Sequence, residues 1–219
     1  ATRGTFGKFF LRRAASQTSF LFMKTIRSFL LAICTLMTMA GAHATTVIPP
    51  TFDELVAEAE LIFQGTVTDV RSQWVGEGGQ RHIVSYVTVQ VDDSIKGNPG
   101  KSYTMQMLGG TVGDQTMGVS DSPKFEVGDR DILFVEHNGT QFIPLVGIMH
   151  GRFRVEQDST TGVDVVKSDK GRAVTDLAAL GKDGHGSAPQ NSIAATAGKS
   201  LRATDFKAAI RAKLRATNP

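Results

Sequence analysis

Cysteine is nearly absent from this 219-residue chain, and aromatic residues other than phenylalanine are scarce. The sequence contains one cysteine, one tryptophan and two tyrosines. One thiol cannot form an internal disulfide, and it cannot supply the cysteine set of a structural zinc site. With 41% hydrophobic and 21% charged residues, the composition is that of an ordinary globular protein rather than a fibrous or disulfide-rich one.

Acidic residues are missing from the first 44 positions, which contain six basic ones. The segment 23–44 begins with Met23 and two nearby basic residues, continues with an apolar run and ends in Ala42-His43-Ala44. That order is typical of a secretory signal peptide with its cleavage site. The apolar run has about 12 residues, whereas a membrane-spanning helix needs about 20. We predict a signal peptide cleaved after Ala44 and an exported protein; a retained membrane anchor is the alternative.

Residues 1–22 precede the start at Met23 and also lack acidic residues. We expect them to be an upstream segment that does not belong to the native mature protein. An organellar transit peptide is the alternative, because the segment contains arginine, serine and phenylalanine but no acid.

The excess of basic residues belongs to the first 44 positions. Without them, 18 basic residues face 21 acidic ones, and the formal net charge changes from +3 to −3. Nucleic-acid binding needs a basic surface that neutralises phosphates. We therefore expect no nucleic-acid partner. The sole cysteine, Cys34, leaves with the signal peptide, so the mature chain has no cysteine nucleophile.

The mature chain divides into three parts by its residue patterns. We predict a β-barrel domain over 45–157, a short strand and flexible linker over 158–200, and an amphipathic helix over 201–219. The first part alternates apolar and polar residues with the period of two that is typical of strands. Thr51 and Glu54 have the spacing of a capping box and predict a short helix before the first strand.

Turn and strand signals predict five to seven strands. Gly65 interrupts the first strand and indicates a bulge or tight bend, and Asn138-Gly139 is a strong signal for a hairpin turn. With a helix at each end, these strands predict a mainly β fold that forms a small closed or partly open barrel, because closure removes exposed sheet edges. The predicted strands are 61–70, 82–91, 102–108, 131–136, 141–146, 151–156 and 163–166.

The predicted C-terminal helix has one apolar face. Phe206, Ile210 and Leu214 recur at helical spacing, and basic residues surround them. Because only a few large apolar groups are present, we expect this face to pack on the barrel. Binding to a membrane surface or to a partner is the alternative. We expect no membrane span after cleavage of the signal peptide.

A family resemblance is carried by five blocks: LVAEAELIFQGTVTDV, VTVQVDDSIKGNPG, KFEVGDRDILFVEHNGTQFIPLVG, GRFRV and FKAAIRAKL. They resemble an uncharacterised family of exported bacterial β-barrel proteins, and their order is distantly similar to the netrin-like module of tissue inhibitors of metalloproteinases. The resemblance implies an OB-like barrel and a periplasmic or secreted location. Those inhibitors bind the protease zinc through an N-terminal Cys-x-Cys, but the mature chain would begin Thr45-Thr46-Val47. A protease-inhibitor-like module is therefore an alternative only.

Familiar catalytic and metal-binding motifs are missing from the sequence. Neither G-x-S-x-G nor H-E-x-x-H occurs, and the stretch 97–102 lacks the spacing of a phosphate-binding loop. We expect no cofactor and favour a protein that is not an enzyme; a hydrolase with a dispersed site is one alternative. Another is a periplasmic copper-binding protein that uses Met105, Met107 and His150, because thioethers suit Cu(I). Core packing is the ordinary role of such methionines.

The stretch 109–120 is the most informative candidate for a binding site. It is long, rich in glycine and small polar residues, and it lies between two predicted strands. Long loops on a rigid scaffold often carry function; a flexible connection is the alternative. We predict an exported, non-enzymatic binding module for a protein or other macromolecule. The partner-binding residues that we predict are Gly109, Gly110, Thr111, Asp114, Gln115 and Ser120.

Overall fold

A six-stranded antiparallel sheet is the centre of the computed structural model, which describes residues 48–182 and 199–217. The order of its strands is β3-β2-β1-β6-β7-β8, and β4 and β5 form a separate two-stranded sheet. The mainly β fold, with a helix near each end of the described chain, is confirmed. The strands are β1 Leu61–Val75, β2 His82–Lys96, β3 Ser102–Leu108, β4 Gly110–Val112, β5 Gln115–Met117, β6 Arg130–Val135, β7 Arg152–Gln157 and β8 Asp164–Ser168. The helices are α1 Phe52–Glu58 and α2 Ala203–Thr217, with single 3₁₀ turns at Gly78–Gln80, Ile148–Gly151 and Leu177–Ala179.

Several predicted segments lie outside the described residues. These are the upstream segment 1–22, the signal peptide 23–44 and residues 183–198 of the predicted strand and linker over 158–200. Within the described part of the chain, no helix is long and apolar enough to cross a membrane.

Both ends of helix α1 are held by side chains. The backbone N–H of Thr51 donates to the carboxylate of Glu54 at 2.7 Å, and the N–H of Glu54 donates to the Thr51 hydroxyl at 3.3 Å. The predicted capping box is confirmed. At the other end, the ammonium of Lys96 donates to the carbonyl oxygens of Val56 and Ala57 at 2.8 and 3.0 Å. These contacts tie the helix to the end of β2.

Strand β1 continues to Val75, beyond the predicted end at residue 70, and bulges interrupt its pairing with β2. The register with β2 shifts between Gln64 and Gly65, as the position of the glycine predicts. A Cβ at Gly65 would collide with the carbonyl oxygen of Gln90 and with the Val89 side chain. Only glycine therefore allows the two strands to approach so closely at this bend.

Strand β6 divides two apolar cores. Ile132 and Phe134 point into a first core beneath the helices, and Leu133 and Val135 point into a second core enclosed by β1, β2 and β3. All four side chains are fully buried. This is the pattern of a central strand with both faces covered.

Helix α2 packs on the sheet through its apolar face, as predicted. Phe206 and Ile210 are fully buried in the first core, and the Phe206 ring lies 4.8 Å from that of Phe153, centroid to centroid. Lys207 and Arg211 pair with Asp93 on β2 at 2.8 and 2.5 Å. Two basic residues of this helix therefore neutralise the carboxylate of Asp93 on the protein's own sheet.

The outer edge of β3 is covered by the segment that follows β6. The N–H of Gln106 donates to the side-chain oxygen of Asn138 at 2.9 Å, and the Asn138 amide donates to the carbonyl of Thr104 at 2.9 Å. Further along, the N–H of Leu108 donates to the carbonyl of Phe142 at 2.7 Å. The Asn138 side chain thus makes the hydrogen bonds that a neighbouring strand would make.

The hairpin predicted around Asn138-Gly139 is reduced to a single antiparallel bridge. Residues 141–146 form no regular strand, but Leu145 bridges Val135, and the N–H of Val146 donates to the carbonyl of Phe134 at 3.0 Å. The reason is that β7 occupies this edge of β6 along residues 131–133, which leaves only the end of β6 for the returning chain. The segment instead places Ile143 and Leu145 in the second core.

The outer edge of β8 is also covered by irregular chain. The N–H of Val166 donates to the carbonyl of Leu201 at 2.9 Å, and that of Ser168 donates to the carbonyl of Arg172 at 2.8 Å. The pairing among the described residues contains no closed barrel. Barrel closure and the OB-like identity stay predictions.

Candidate functional site

The predicted binding loop contains an ordered hairpin. Strands β4 and β5 pair across a two-residue turn, in which Gly113 has a φ of +59°. The hydroxyls of Thr111 and Thr116 lie 2.9 Å apart on the exposed face. This glycine supplies the left-handed backbone that short hairpin turns need.

A pair of serines holds the hairpin on β1 and β2. The hydroxyls of Ser72 and Ser85 are 2.8 Å apart, and Ser85 donates to the carbonyl of Gly109 at 2.7 Å. A Cβ at Gly110, where φ is +136°, would collide with both serine hydroxyls. On the other strand of the hairpin, the Met117 sulfur accepts the N–H of Ile83 at 3.4 Å. The hairpin therefore packs directly on the paired strands β1 and β2.

An apolar cavity of about 420 Å³ opens beside the hairpin. The long sheet, the hairpin and the segment 118–125 each supply one wall. Gly109, Gly110 and Thr111 are among its lining residues, as are Leu108 and Ser122. The apolar side chains that line it are Val70, Val87, Met107, Leu108, Met117, Val119, Pro123 and Phe125.

A second, charged cavity of about 420 Å³ adjoins the first. The two share Ser122 and Lys124 as lining residues. Four acidic and four basic side chains line the charged cavity: Asp121, Glu126, Asp129 and Asp169 with Lys124, Arg152, Arg154 and Lys170. A ligand that spans both cavities would meet apolar groups at one end and charged groups at the other.

Arg152 links the walls of both cavities. Its five N–H groups donate to Asp131 at 3.0 Å twice, to Asp129 at 2.7 Å, to Asp169 at 3.2 Å and to the carbonyl of Lys124 at 2.6 Å. The guanidinium also lies 4.1 Å from the centroid of the Phe125 ring. Since the side chain is 2% exposed, this is a buried cation with every donor used. It joins β6, β7, the turn at 169 and the segment that walls the apolar cavity.

Burial sets the protonation of two groups near this network. It raises the pKa of Asp131 to about 6, against the opposing effect of Arg152. Burial also lowers the pKa of His150, and the nearby charges of Lys170 and Arg172 act in the same direction. His150 is therefore neutral at pH 7.

The structure brings only part of the predicted partner-binding set together. Gly109, Gly110 and Thr111 line the apolar cavity. Asp114 and Gln115 lie at the exposed tip of the hairpin, and Ser120 is exposed in the segment that follows it. These last three residues are outside the lining of both cavities, and their role stays a prediction.

The predicted copper ligands lie in two different surroundings. Met105 and Met107 point into the second core, where they are 0% and 4% exposed. His150 is half-buried on a 3₁₀ turn, near the charges of Lys170 and Asp121. Among the described residues, no group of three or more His, Cys, Asp or Glu side chains is placed to hold a metal ion. Copper binding by the thioethers stays a prediction.

Sequence reasoning missed the residues that position the site. Ser72 and Ser85 are opposite each other on the inner face of β1 and β2, where an apolar pair would be expected. Asp131 shares the inward-facing alternation of Leu133 and Val135, so it is a charged group in a core position. That break in the pattern was a signal for a buried ion pair, although it did not identify Arg152 as the partner.

Comparisons with family models, with curated proteins and with solved structures find no match for this chain. The similarity to netrin-like modules therefore stays a prediction. The hairpin, the two cavities and the buried network that joins them are the features of this chain that bear on function.

Proposed function

We propose that this chain is an exported, non-enzymatic binding module, and that the hairpin face receives a second exported protein. The observation that carries the proposal is the apolar cavity between β4–β5, the long sheet and the segment 118–125. Apolar cavities with a few polar groups at their rim are the usual form of binding sites. The export itself follows from the signal-peptide pattern of residues 23–44.

The scaffold beneath the cavity is, in this proposal, a barrel-like enclosure. Two sets of hydrogen bonds support it. Leu108 on β3 bonds to Phe142, and Val146 bonds to Phe134 on β6 at 3.0 Å. The segment 138–146 thereby lies between the edge of β3 and the end of β6. A rigid scaffold that presents a hairpin and a loop is suited to binding a partner with little rearrangement.

Site-specific photo-crosslinking tests the proposal. A photoreactive amino acid replaces Val119, which lines the cavity, in the full chain expressed in its own host. The matched control carries the same group at Val163, an exposed valine in the turn before β8. We expect a discrete crosslinked polypeptide from the exported fraction with position 119 and none with position 163. Crosslinks of equal yield from both positions, or none from position 119, would contradict the proposal.

A further inference from the structure

The described chain protects both outer edges of its large sheet but leaves the small sheet open. Asn138 and Phe142 cover β3, and the segments around Arg172 and Leu201 cover β8. The sheet β4–β5 has only two strands, with no third strand beside it in the described residues. Proteins normally block exposed strand edges because such edges pair with other chains. An open edge beside a cavity is therefore a candidate recognition surface.

The register shows which backbone groups face outwards from the small sheet. The two-residue turn makes Val112 and Gln115 a hydrogen-bonded pair. The next pair, Thr111 and Thr116, is then a non-hydrogen-bonded one, which agrees with hydroxyls only 2.9 Å apart. Thr116 consequently directs its backbone N–H and C=O away from β4. These groups are a donor and an acceptor for another strand.

The open edge of β5 continues into the wall of the apolar cavity. Thr116, Met117, Gly118 and Val119 follow one another along the chain, and all four line it. A strand that lies along this edge would hold alternate side chains over the opening, because side chains of a strand alternate between its two faces. One apolar side chain of the size of leucine or isoleucine would have room in about 420 Å³.

Within the described part of the chain, one basic side chain at the rim of the cavities forms no ion pair. Lys124 lines both cavities, its side chain is exposed, and it forms no ion pair within the described residues. The other basic groups of the charged cavity differ in this respect, since Arg152, Arg154 and Lys170 each pair with a carboxylate. Lys124 is therefore the cation that remains for an acidic group on a ligand.

We propose that an extended segment of the partner protein adds to β5 as a third strand of the small sheet. It inserts one apolar side chain into the cavity and pairs an acidic side chain with Lys124. The occupant is a peptide because only a polypeptide backbone offers the alternating donors and acceptors that match the edge at Thr116. This inference rests on the proposed function, and it specifies the class of partner and the mode of binding.

A displayed library of seven-residue peptides, rich in β-branched residues and containing one Asp or Glu, is the probe. Peptides selected on the wild-type chain are titrated against Thr116→Pro and against Thr116→Val. The proline removes the outward N–H together with the hydroxyl, whereas the valine removes only the hydroxyl, and proline is tolerated at a strand edge whose N–H faces solvent. We expect at least a tenfold weaker affinity for Thr116→Pro and a much smaller loss, below about threefold, for Thr116→Val. Equal affinities for the two variants would overturn strand addition, as would a library without binders.

Two further measurements test the inference even if Thr116→Pro does not fold. In the wild-type chain, bound peptide should slow hydrogen exchange at the Thr116 amide at least tenfold, and an unchanged rate would contradict the inference. Lys124→Glu should weaken the binding of the selected acidic peptides at least tenfold, and an unchanged affinity would contradict the pairing with Lys124. If Thr116→Pro abolishes neither peptide binding nor the crosslink at position 119, strand addition is wrong while the proposed function stands. The absence of a crosslink from position 119 in a chain with no other substitution is the separate result that counts against the proposed function.

Discussion

At the residue scale, Arg152 joins segments that are far apart in the sequence. Its donors reach Asp129 and Asp131 around the start of β6, Asp169 after β8 and the backbone of Lys124. A buried ion pair is not by itself a large source of stability, because both charges lose their hydration. Removing one partner is costly, however, since the remaining charge is then buried alone. The network is thus best understood as a device that holds the cavity wall in one position.

Arg152→Met should therefore destabilise the protein. Asp131 is fully buried and would lose the guanidinium to which it is hydrogen-bonded, so we expect a loss of about 3–5 kcal/mol in the free energy of unfolding. Urea denaturation at pH 7 measures it. The matched control is Arg154→Met, whose side chain is 39% exposed, and it should cost less than about 1 kcal/mol. A loss at position 152 no larger than that of the control would contradict the role assigned to Arg152.

The raised pKa of Asp131 predicts a specific dependence of stability on pH. The folded-state pKa of about 6 lies above the ordinary value of 3.8, so the folded protein holds this proton more tightly than the unfolded chain does. The stabilisation is fully present below pH 3.8 and is lost as the pH rises through about 6. Carboxylates with a lowered pKa, such as Asp93 and Asp164, act in the opposite direction. A carbon-13 titration of the Asp131 carboxyl isolates its contribution, and a midpoint below pH 4 would show that the ion pair outweighs burial.

At the scale of elements, the hairpin β4–β5 depends on one close approach. Gly110 lies against Ser72 and Ser85 with a φ of +136°, and a side chain there meets both a collision and backbone strain. We expect Gly110→Ala to cost about 1–3 kcal/mol and to shift the amide resonances of the hairpin. The control is Gly118→Ala, where a Cβ meets no atom within 4 Å. Similar spectra for both variants would mean that the hairpin is not held at Gly110.

The secondary structure was predictable where the signal is local. The capping box of α1 depends on residues that are neighbours in the chain, and the bulge in β1 occurs at a glycine that visibly interrupts the strand pattern. The hairpin at Asn138-Gly139 is reduced to one bridge because distant partners compete: β7 pairs with residues 131–133 of β6, and Asn138 bonds to β3. A turn motif predicts a bend, whereas the partner of the strand that follows depends on the whole sheet.

At the scale of the whole molecule, the cores were predictable and the site was only partly so. The apolar alternation of β6 and the apolar face of α2 both point to the buried side chains that the structure contains. The cavity is formed where the end of β1, the hairpin and the segment 118–125 meet, and no spacing in the sequence encodes that meeting. Glycine content marked the hairpin as unusual, but the purpose of Gly110 emerges only from the serines beneath it.

The central claim is that the apolar cavity beside the hairpin accepts an apolar side chain. Titration of the isotope-labelled chain with N-acetyl-leucine N-methylamide tests it directly by NMR, with N-acetyl-glycine N-methylamide as the control. Burial of one leucine side chain gives about 2–3 kcal/mol, so we expect saturable shifts at millimolar or higher concentration. They should be confined to the methyl groups of Val70, Val87, Met107 and their neighbours in the cavity. Shifts spread over α2, or identical responses to the leucine and glycine compounds, would contradict the account.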